Sequence, residues 1–375
     1  MSNLPKPILI TTSDQLQDLV EKLTAQATIS VDTESNSLYV YQEQVCLIQF
    51  SIPDGDFLVD PLALGDLSSL GPIFNNPAIE KIFHAAEYDL LCLKRDFGFE
   101  FQNLFDTMLA ARISGRKKVG LGNLLEAEFG IQLEKRFQRA DWGKRPLTDE
   151  MLAYARLDTY YLPKLRAKLR TELETKQRLA LAQEDFQRVC AVNGKAPGPV
   201  GTDIWRINGA RDLTSKQAAV LQELVIYRDL KAKKYNLPVF KVIGDKTLIG
   251  VAVNEPVNFN GLKTIPGMTP KQIDRHGKAL LTAVRNGGEG APVQRPRKPR
   301  LEDDYVERVE ALREWRKQTA RQFDVESDVV MPRDLLYEIA EKNPANGEEL
   351  AQILETVPWR LERYGQGIQE VLANM

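Results

Sequence analysis

Cysteine is scarce in this chain of 375 residues, with three in all, Cys46, Cys92 and Cys190. They lie far apart and form no CxxC pair, which excludes a disulfide framework and a zinc knuckle and leaves three reduced, core-directed thiols. Long apolar runs are missing too: no stretch approaches the roughly 18 residues that a membrane span requires. The segment Met1–Ile10 lacks the charged-then-apolar order of a secretion signal. The expected location is the cytoplasm. No G-x-x-x-x-G-K-[ST] loop occurs, so nucleotide-driven motor chemistry is excluded and no nucleotide cofactor is expected.

A strong overall charge is also lacking, the formal net being −2. The even total conceals an uneven distribution. Residues 207–288 carry 13 basic against 6 acidic residues, a net of +7, whereas residues 301–375 carry 9 against 17, a net of −8. Phosphate neutralisation needs a local positive surface, not a positive total. The middle of the chain supplies one.

Hydrophobic periodicity divides the chain. Thr11-Thr12-Ser13-Asp14 caps a helix over Gln15–Leu23. Apolar runs at Thr28–Thr33, Val45–Ile52 and Phe57–Val59, with Pro53-Asp54-Gly55 between the last two, predict an antiparallel meander. Further elements are a short helix near Leu67–Phe74, a strand at Lys81–His84, a helix over Glu87–Phe97, a strand near Leu104 and a helix over Thr107–Ser114. Strands followed by strand–helix alternation predict an α/β domain with a mixed sheet. Pro197, Gly198, Pro199 and Gly201 mark one boundary, and Arg285–Arg300 a second. The expected domains are 1–195, 207–288 and 301–375, the last two being small all-α bundles. These two read as a diverged repeat, with Leu224–Arg228 matched to Leu312–Arg316 and the step Leu237-Pro238 matched to Met331-Pro332.

Three short patterns carry chemistry. Asp32 and Glu34 alternate on a strand and so present two carboxylates on one face; the bland alternative is a solvated strand end. Asp89 follows a strand that runs out at His84 and lies in the first turn of a helix, where a carboxylate also suits the macrodipole. Tyr154 and Asp158, at i and i+4, share a helical face after the cap Thr148-Asp149-Glu150; alternatively Tyr154 packs in the core and Asp158 makes a surface pair. Each alone is weak.

Their order is specific. Asp-x-Glu, an Asp 55 residues on and Tyr-x-x-x-Asp a further 65 residues on resemble the tyrosine-containing branch of the DEDD exonuclease superfamily. The surrounding text resembles ribonuclease D: Val31-Asp32-Thr33-Glu34, Leu47-Ile48-Gln49-Phe50, Phe83-His84-Ala85-Ala86, Leu104-Phe105-Asp106-Thr107, Leu121-Gly122-Asn123-Leu124 and Asp141-Trp142-Gly143-Lys144-Arg145-Pro146-Leu147. The resemblance implies a ribonuclease H-like α/β domain in which Asp32, Glu34, Asp89 and Asp158 hold two divalent ions, Mg²⁺ or Mn²⁺ by their oxygen-only ligands. Asp32 would bridge the ions, and Tyr154 would orient or help deprotonate the water. The implied reaction is 3′→5′ hydrolysis of RNA to nucleoside 5′-monophosphates. The implied partner is an RNA with a single-stranded 3′ end, such as a tRNA precursor, acted on by a monomer.

Other candidates touch substrate rather than metal. His84 shapes the site or packs; Leu38 stands where the family wedges an apolar side chain against the terminal base, or is a core leucine. Gln138 and Arg139 lie in a stretch that interleaves base with aromatics, as a single-strand groove does, although Trp142 in that stretch equally suits a core. Asp106 reads as a helix N-cap. The segment Leu224–Arg228, Leu237–Phe240 and Ile265–Met268 resemble the helicase-and-ribonuclease-D C-terminal (HRDC) bundle, with Lys231, Lys233, Lys234 and Lys241 as phosphate contacts or as a solvated basic face. Block 301–375, being acidic, is expected to pack on the other domains, and the family resemblance implies a ring or funnel around the catalytic mouth.

Overall fold

The computed structural model describes residues 4–193, 203–296 and 301–375. The proline and glycine cluster at 197–201 lies outside the described residues. The chain forms two compact units, one of residues 1–35, 45–195 and 300–375 and the other of residues 36–44 and 196–299.

The first unit is built on six strands: β1 (Ile8–Ile10), β2 (Thr28–Ser35), β3 (Val45–Ile52), β4 (Gly55–Val59), β5 (Glu80–Phe83) and β6 (Leu104–Asp106), in the order β1-β4-β3-β2-β5-β6. β2, β3 and β4 pair antiparallel, as the alternating turns predict, while β1, β5 and β6 join in parallel. The sheet is therefore mixed. Every residue of β3 is buried, Gln49 and Ser51 included, because this central strand is covered on both faces. β1 is absent from the sequence reading. It is only three residues long and its partner β4 begins 47 positions after it, so no local signal marks it.

Helices cover both faces. The helix Ser13–Thr24 starts on Thr12, whose hydroxyl accepts from the Gln15 amide while the Gln15 side chain returns to the cap. It buries Leu16, Leu19 and Leu23, one stripe at helical spacing. The helix Glu87–Phe97 has the limits its sequence predicts. Cys46 and Cys92 are buried and all three cysteines are free thiols. No helix among the described residues is long and apolar enough to cross a membrane.

One expectation needs correcting beside the site. Tyr154 and Asp158 do not share a single regular helix: one helix spans Asp149–Ala155 and a short one Leu157–Tyr160, with a turn at Arg156. The Thr159 hydroxyl bonds the Arg156 carbonyl at 3.2 Å and meets the Ser51 hydroxyl at 2.7 Å, so side chains compete with the helical ladder there.

The two helical blocks have the same internal plan at a constant offset of 88 residues. Their long helices, Ser215–Tyr235 and Asp303–Phe323, end on left-handed Asn236 and Asp324. Arg228 Nη1 donates to the Ile243 carbonyl at 3.1 Å, and Arg316 Nη1 to the Met331 carbonyl at 3.0 Å. Buried Leu224, Val242, Leu248 and Leu262 correspond to buried Leu312, Val330, Leu336 and Leu350. The offset corrects one detail of the repeat. Met331-Pro332 corresponds to Ile243-Gly244, and Leu237-Pro238 to Val325-Glu326, so the two apolar-Pro steps open different helices.

The second boundary also begins later than its composition implies. The helix Pro270–Glu289 continues through Arg285, Gly287 and Gly288. Gly287 is there for packing, since a Cβ on it would stand 2.4 Å from the Val220 Cα. Glycine allows that helix to lie against Ser215–Tyr235.

Block 301–375 packs on the catalytic domain within one unit, as its charge implies. Arg360, fully buried, donates to Glu184 at 2.9 Å and contacts Asp185 at 2.8 Å. Arg112–Asp328 and Arg188–Asp334 add more exposed pairs at 2.7 and 2.6 Å.

Candidate active site

β2 delivers Asp32 and Glu34. In the β2–β3 register Asp32 faces Gln49 and Glu34 faces Leu47, and the pairing shifts between Glu34 and Ser35, where the strand leaves the sheet. Asp89 arrives from the first turn of the helix after β5 and is 8% exposed. The Thr33 hydroxyl donates to its Oδ1 and ties that helix to β2. Asp158 and Tyr154 come from the two helices that meet at Arg156.

Asp106 fixes the turn that presents Asp89. Its carboxylate accepts from the amides of Ala85, Ala86, Met108 and Leu109 at 2.8–3.1 Å, and so caps the helix Thr107–Ile113 while pinning the turn at Ala85, whose φ is +62°. The cap was legible in the sequence. The two amides from the turn before Asp89 were not.

β2 and the two helices at Arg156 border a cavity of about 650 Å³; Asp89 does not line it but is hydrogen-bonded to Thr33, which does. Asp32, Glu34, His84, Gln138, Tyr154 and Asp158 line it, together with Thr33, Asn123 and Lys135, residues of the quoted motifs and of the basic-aromatic stretch to which no individual role was assigned. Asn123 belongs to a quoted motif, Leu121–Leu124, to which no role was attached. Arg139 is not among the lining residues. Trp142 is 1% exposed and packs 6.2 Å from the Tyr154 ring, so it is core rather than a stacking platform. Arg136 lies over the Phe137 ring at 5.0 Å.

Electrostatically the cavity is a ring of mutually repelling acids. Burial pushes Asp32 well above the ordinary carboxylate range, and the charges of Asp89, Asp158 and Glu34 push it further. Glu34 is raised by burial and then by Asp158 and Asp89. Asp89 and Asp158 are raised chiefly by burial, with the Thr33 hydrogen bond opposing the shift at Asp89. Such a group of carboxylates ionises fully only beside a cation. Among the described residues no three acid, histidine or cysteine side chains already converge as a metal cage. The oxygen-only donor set nevertheless suits a hard divalent ion.

Tyr154 is raised by burial and by Asp158, Glu34 and Asp32, so its phenol keeps its proton. Of the two expected roles, orienting the water suits a protonated phenol. His84 Nδ1 lies 2.9 Å from the Thr107 hydroxyl, whose own proton goes to the Phe83 carbonyl at 3.0 Å. With that proton on the Phe83 carbonyl, Nδ1 carries the ring proton and Nε2 is left as an acceptor. Burial lowers the ring pKa to about 4, so the imidazole is neutral at physiological pH.

The remaining candidates belong to the second unit. Leu38, 40% exposed, lies on the segment 36–44 that clusters with the first helical block and does not line the cavity. Lys231 sits over the rings of Tyr227 and Tyr235, Lys234 over Tyr235, and Lys241 over Tyr39 at 4.2 Å. Lys233 is exposed.

Residues 7–174 match the 3′–5′ exonuclease family, and residues 217–284 and 306–372 each match the HRDC domain. The ribonuclease D of Escherichia coli K12 is 34% identical over 278 residues, spanning 74% of this chain and 73% of that one. That of Gluconacetobacter diazotrophicus is 31% identical over 286 residues, spanning 76% and 72%. The crystal structure of E. coli RNase D, described as an exoribonuclease involved in structured RNA processing, is similar with a TM-score of 0.72 at 28% identity over 99% of each chain. The catalytic core of RRP6 from Trypanosoma brucei is similar with a TM-score of 0.67 at 26% identity, covering 76% of this chain and 80% of that one.

Proposed function

This chain belongs to the ribonuclease D family, and on that footing we propose that its acid-lined cavity hydrolyses RNA from the 3′ end, releasing nucleoside 5′-monophosphates. The observation that carries the reading is the grouping of four buried acids, Asp32, Glu34 and Asp158 on the cavity wall and Asp89 bonded to Thr33 of that wall, whose burial and mutual repulsion keep them from holding their charges unaided. We assign these four residues to two divalent ions, Mg²⁺ or Mn²⁺. Bound there, the ions would stabilise the attacking and leaving oxygens of an in-line displacement.

The chain's own residues position the reactants. Asp32, acted on by all three other acids, is the carboxylate best placed to be shared between ions. The Tyr154 phenol donates a hydrogen bond that orients the attacking water. His84 Nε2 accepts from a substrate hydroxyl at the cavity wall, its ring held by Thr107. Gln138 and Lys135 line the approach for the strand, and Lys231, Lys233 and Lys234 attract phosphate on the basic helical block. We divide the chain functionally into residues 1–195 for catalysis, 207–288 for RNA engagement and 301–375 as a docked support. The substrate class we favour is a structured RNA with a free 3′ tail, tRNA precursors included, acted on by a monomer in the cytoplasm.

A DNA 3′→5′ exonuclease would use the same acids, since 2′-hydroxyl recognition is a matter of local contacts. A non-catalytic RNA-binding module would not need five functional side chains intact. Incubation with 3′-tailed RNA and with matching DNA, in Mg²⁺, Mn²⁺ or EDTA, decides among them. Trimming that persists in EDTA or in Asp32→Asn would refute the mechanism. Preference for DNA would refute the substrate alone.

A further inference from the structure

A second cavity, of about 270 Å³, opens where the catalytic domain meets block 301–375, inside one compact unit. Its charged lining residues are all cations, Lys176, Arg178 and Arg363, and its aromatic wall is Phe323, Trp359 and Tyr364. The charged residues lining the catalytic cavity, in contrast, are mostly acids. Lys176 and Arg178 come from the catalytic domain and Arg363 from the otherwise acidic block.

The cations retain binding capacity. Arg178 donates to the carbonyls of Ile113 and Phe323 at 2.8 and 2.5 Å, which occupies two of the five N–H donors of a guanidinium. Lys176 donates to the Ser114 carbonyl at 2.5 Å and to Glu172 at 3.0 Å, and Glu172 is also held by Arg116 at 2.7 Å, while Glu184, which accepts from the Trp359 amide, is paired with Arg360, so both nearby acids are already compensated. Arg363 lies over the Phe323 ring at 5.4 Å and makes no hydrogen bond or ion pair among the described residues. Trp359 and Phe323 both pack edge-on to Tyr364, which fixes the wall. A volume near the lower end of ligand pockets, about 300 Å³, admits one nucleotide and not an oligonucleotide.

We propose that this cavity binds a nucleoside monophosphate, the phosphate at Arg363, Arg178 and Lys176 and the base against the Phe323–Trp359 wall. Guanidinium and ammonium groups suit a phosphate, and an aromatic wall suits any base. The site is separate from the catalytic acids. Only the source of the ligand rests on the exoribonuclease reading, since that reaction releases nucleoside 5′-monophosphates; the other source is the 5′-phosphorylated end of an RNA chain.

The test is calorimetric and fluorescence titration of the full chain in EDTA, carrying Asp32→Asn, with adenosine 5′-monophosphate, adenosine and inorganic phosphate. The expected result is one site for the nucleotide, a change in emission lost in Trp359→Phe, and weakening of about tenfold or more in Arg363→Ala. Adenosine and phosphate alone should each bind more weakly. Arg363 is exposed, so Arg363→Ala should melt as the parent does. Competition by a 5′-phosphorylated trinucleotide supports a chain end as ligand, and its failure to compete supports the free mononucleotide. No binding at millimolar nucleotide, or binding untouched by Arg363→Ala, overturns the site. RNA trimming by Asp32→Asn would instead overturn the catalytic reading and leave this site standing.

Discussion

Asp32 and Gln49 stand directly opposite each other on β2 and β3, and the Gln49 amide is fully enclosed with neither its oxygen nor its nitrogen hydrogen-bonded among the described residues. An enclosed polar group without a partner opposes folding, and an apolar replacement of the same shape removes that cost. Gln49→Met should therefore leave stability unchanged or raise it by about 1 kcal/mol. Urea denaturation checks this, and a loss above about 2 kcal/mol would show that the amide has a partner in solution.

Asp32→Asn should have opposite effects on stability and activity. It removes one of four repelling carboxylates, so the metal-free protein should melt at a higher temperature. RNA trimming should fall by about two orders of magnitude or more, the scale of losing one charge-stabilising group at a reaction centre. A metal-free variant less stable than its parent would contradict the repulsion.

The acids also set a pH dependence. Asp89 and Asp158 are pushed up to about 7, above the ordinary carboxylate value near 4. A raised carboxyl pKa in the folded state means that the unfolded chain releases its proton first as pH rises. Stability of the metal-free protein should then fall between about pH 4 and pH 7. Divalent ions bind the ionised acids, so the stabilisation they confer should grow over the same range. Thermal melts at pH 5 and pH 8, with EDTA or Mn²⁺, read both trends.

Arg360 is buried against Glu184 and Asp185, and its Nε and Nη2 groups also bond the carbonyls of Val330 and Val329. Removing one partner of such a cluster leaves uncompensated charge. Arg360→Ala should cost about 3–5 kcal/mol, and chemical denaturation would show it. Arg188→Ala, which removes the half-exposed pair with Asp334, should cost about 1 kcal/mol or less.

The lysines of the first helical block should separate in a salt titration. Lys233→Ala and Lys231→Ala should each reduce the slope of log affinity for RNA against log salt by about one unit per lost phosphate contact. Lys241, already engaged with the Tyr39 ring, should matter less. Equal slopes for parent and variants would remove these residues from the RNA surface.

What the sequence revealed and what it hid follow from the range of the interactions. β3 and the helix Glu87–Phe97 have the limits their apolar patterns predict, because burial on both faces and on one stripe are local signals. The carboxylates were legible because a strand places alternate residues on one face. The turn at Arg156 was not: Arg156 reaches the Pro5 carbonyl and stands 3.7 Å from Asp56, partners about 100 residues away or more. Nor was the extra work of Asp106, whose amide donors at Ala85 and Ala86 come from a turn 20 residues upstream. The second cavity was hidden for the same reason, since Arg178 and Phe323 are 145 residues apart.

The constant 88-residue offset makes Phe323 the counterpart of Tyr235, and Val329 that of Lys241. Tyr235 is 57% exposed among lysines, whereas Phe323 and Val329 line a cavity against the catalytic domain. One end of the same small bundle thus keeps its aromatic exposed in the first copy and acts as mortar in the second. Grafting Lys231, Lys234 and Tyr235 onto positions 319, 322 and 323 would give the second copy a face like that of the first only by giving up its joint to the catalytic domain. The two copies are not interchangeable parts: the second cannot open a broad basic face at that end while it remains a foundation.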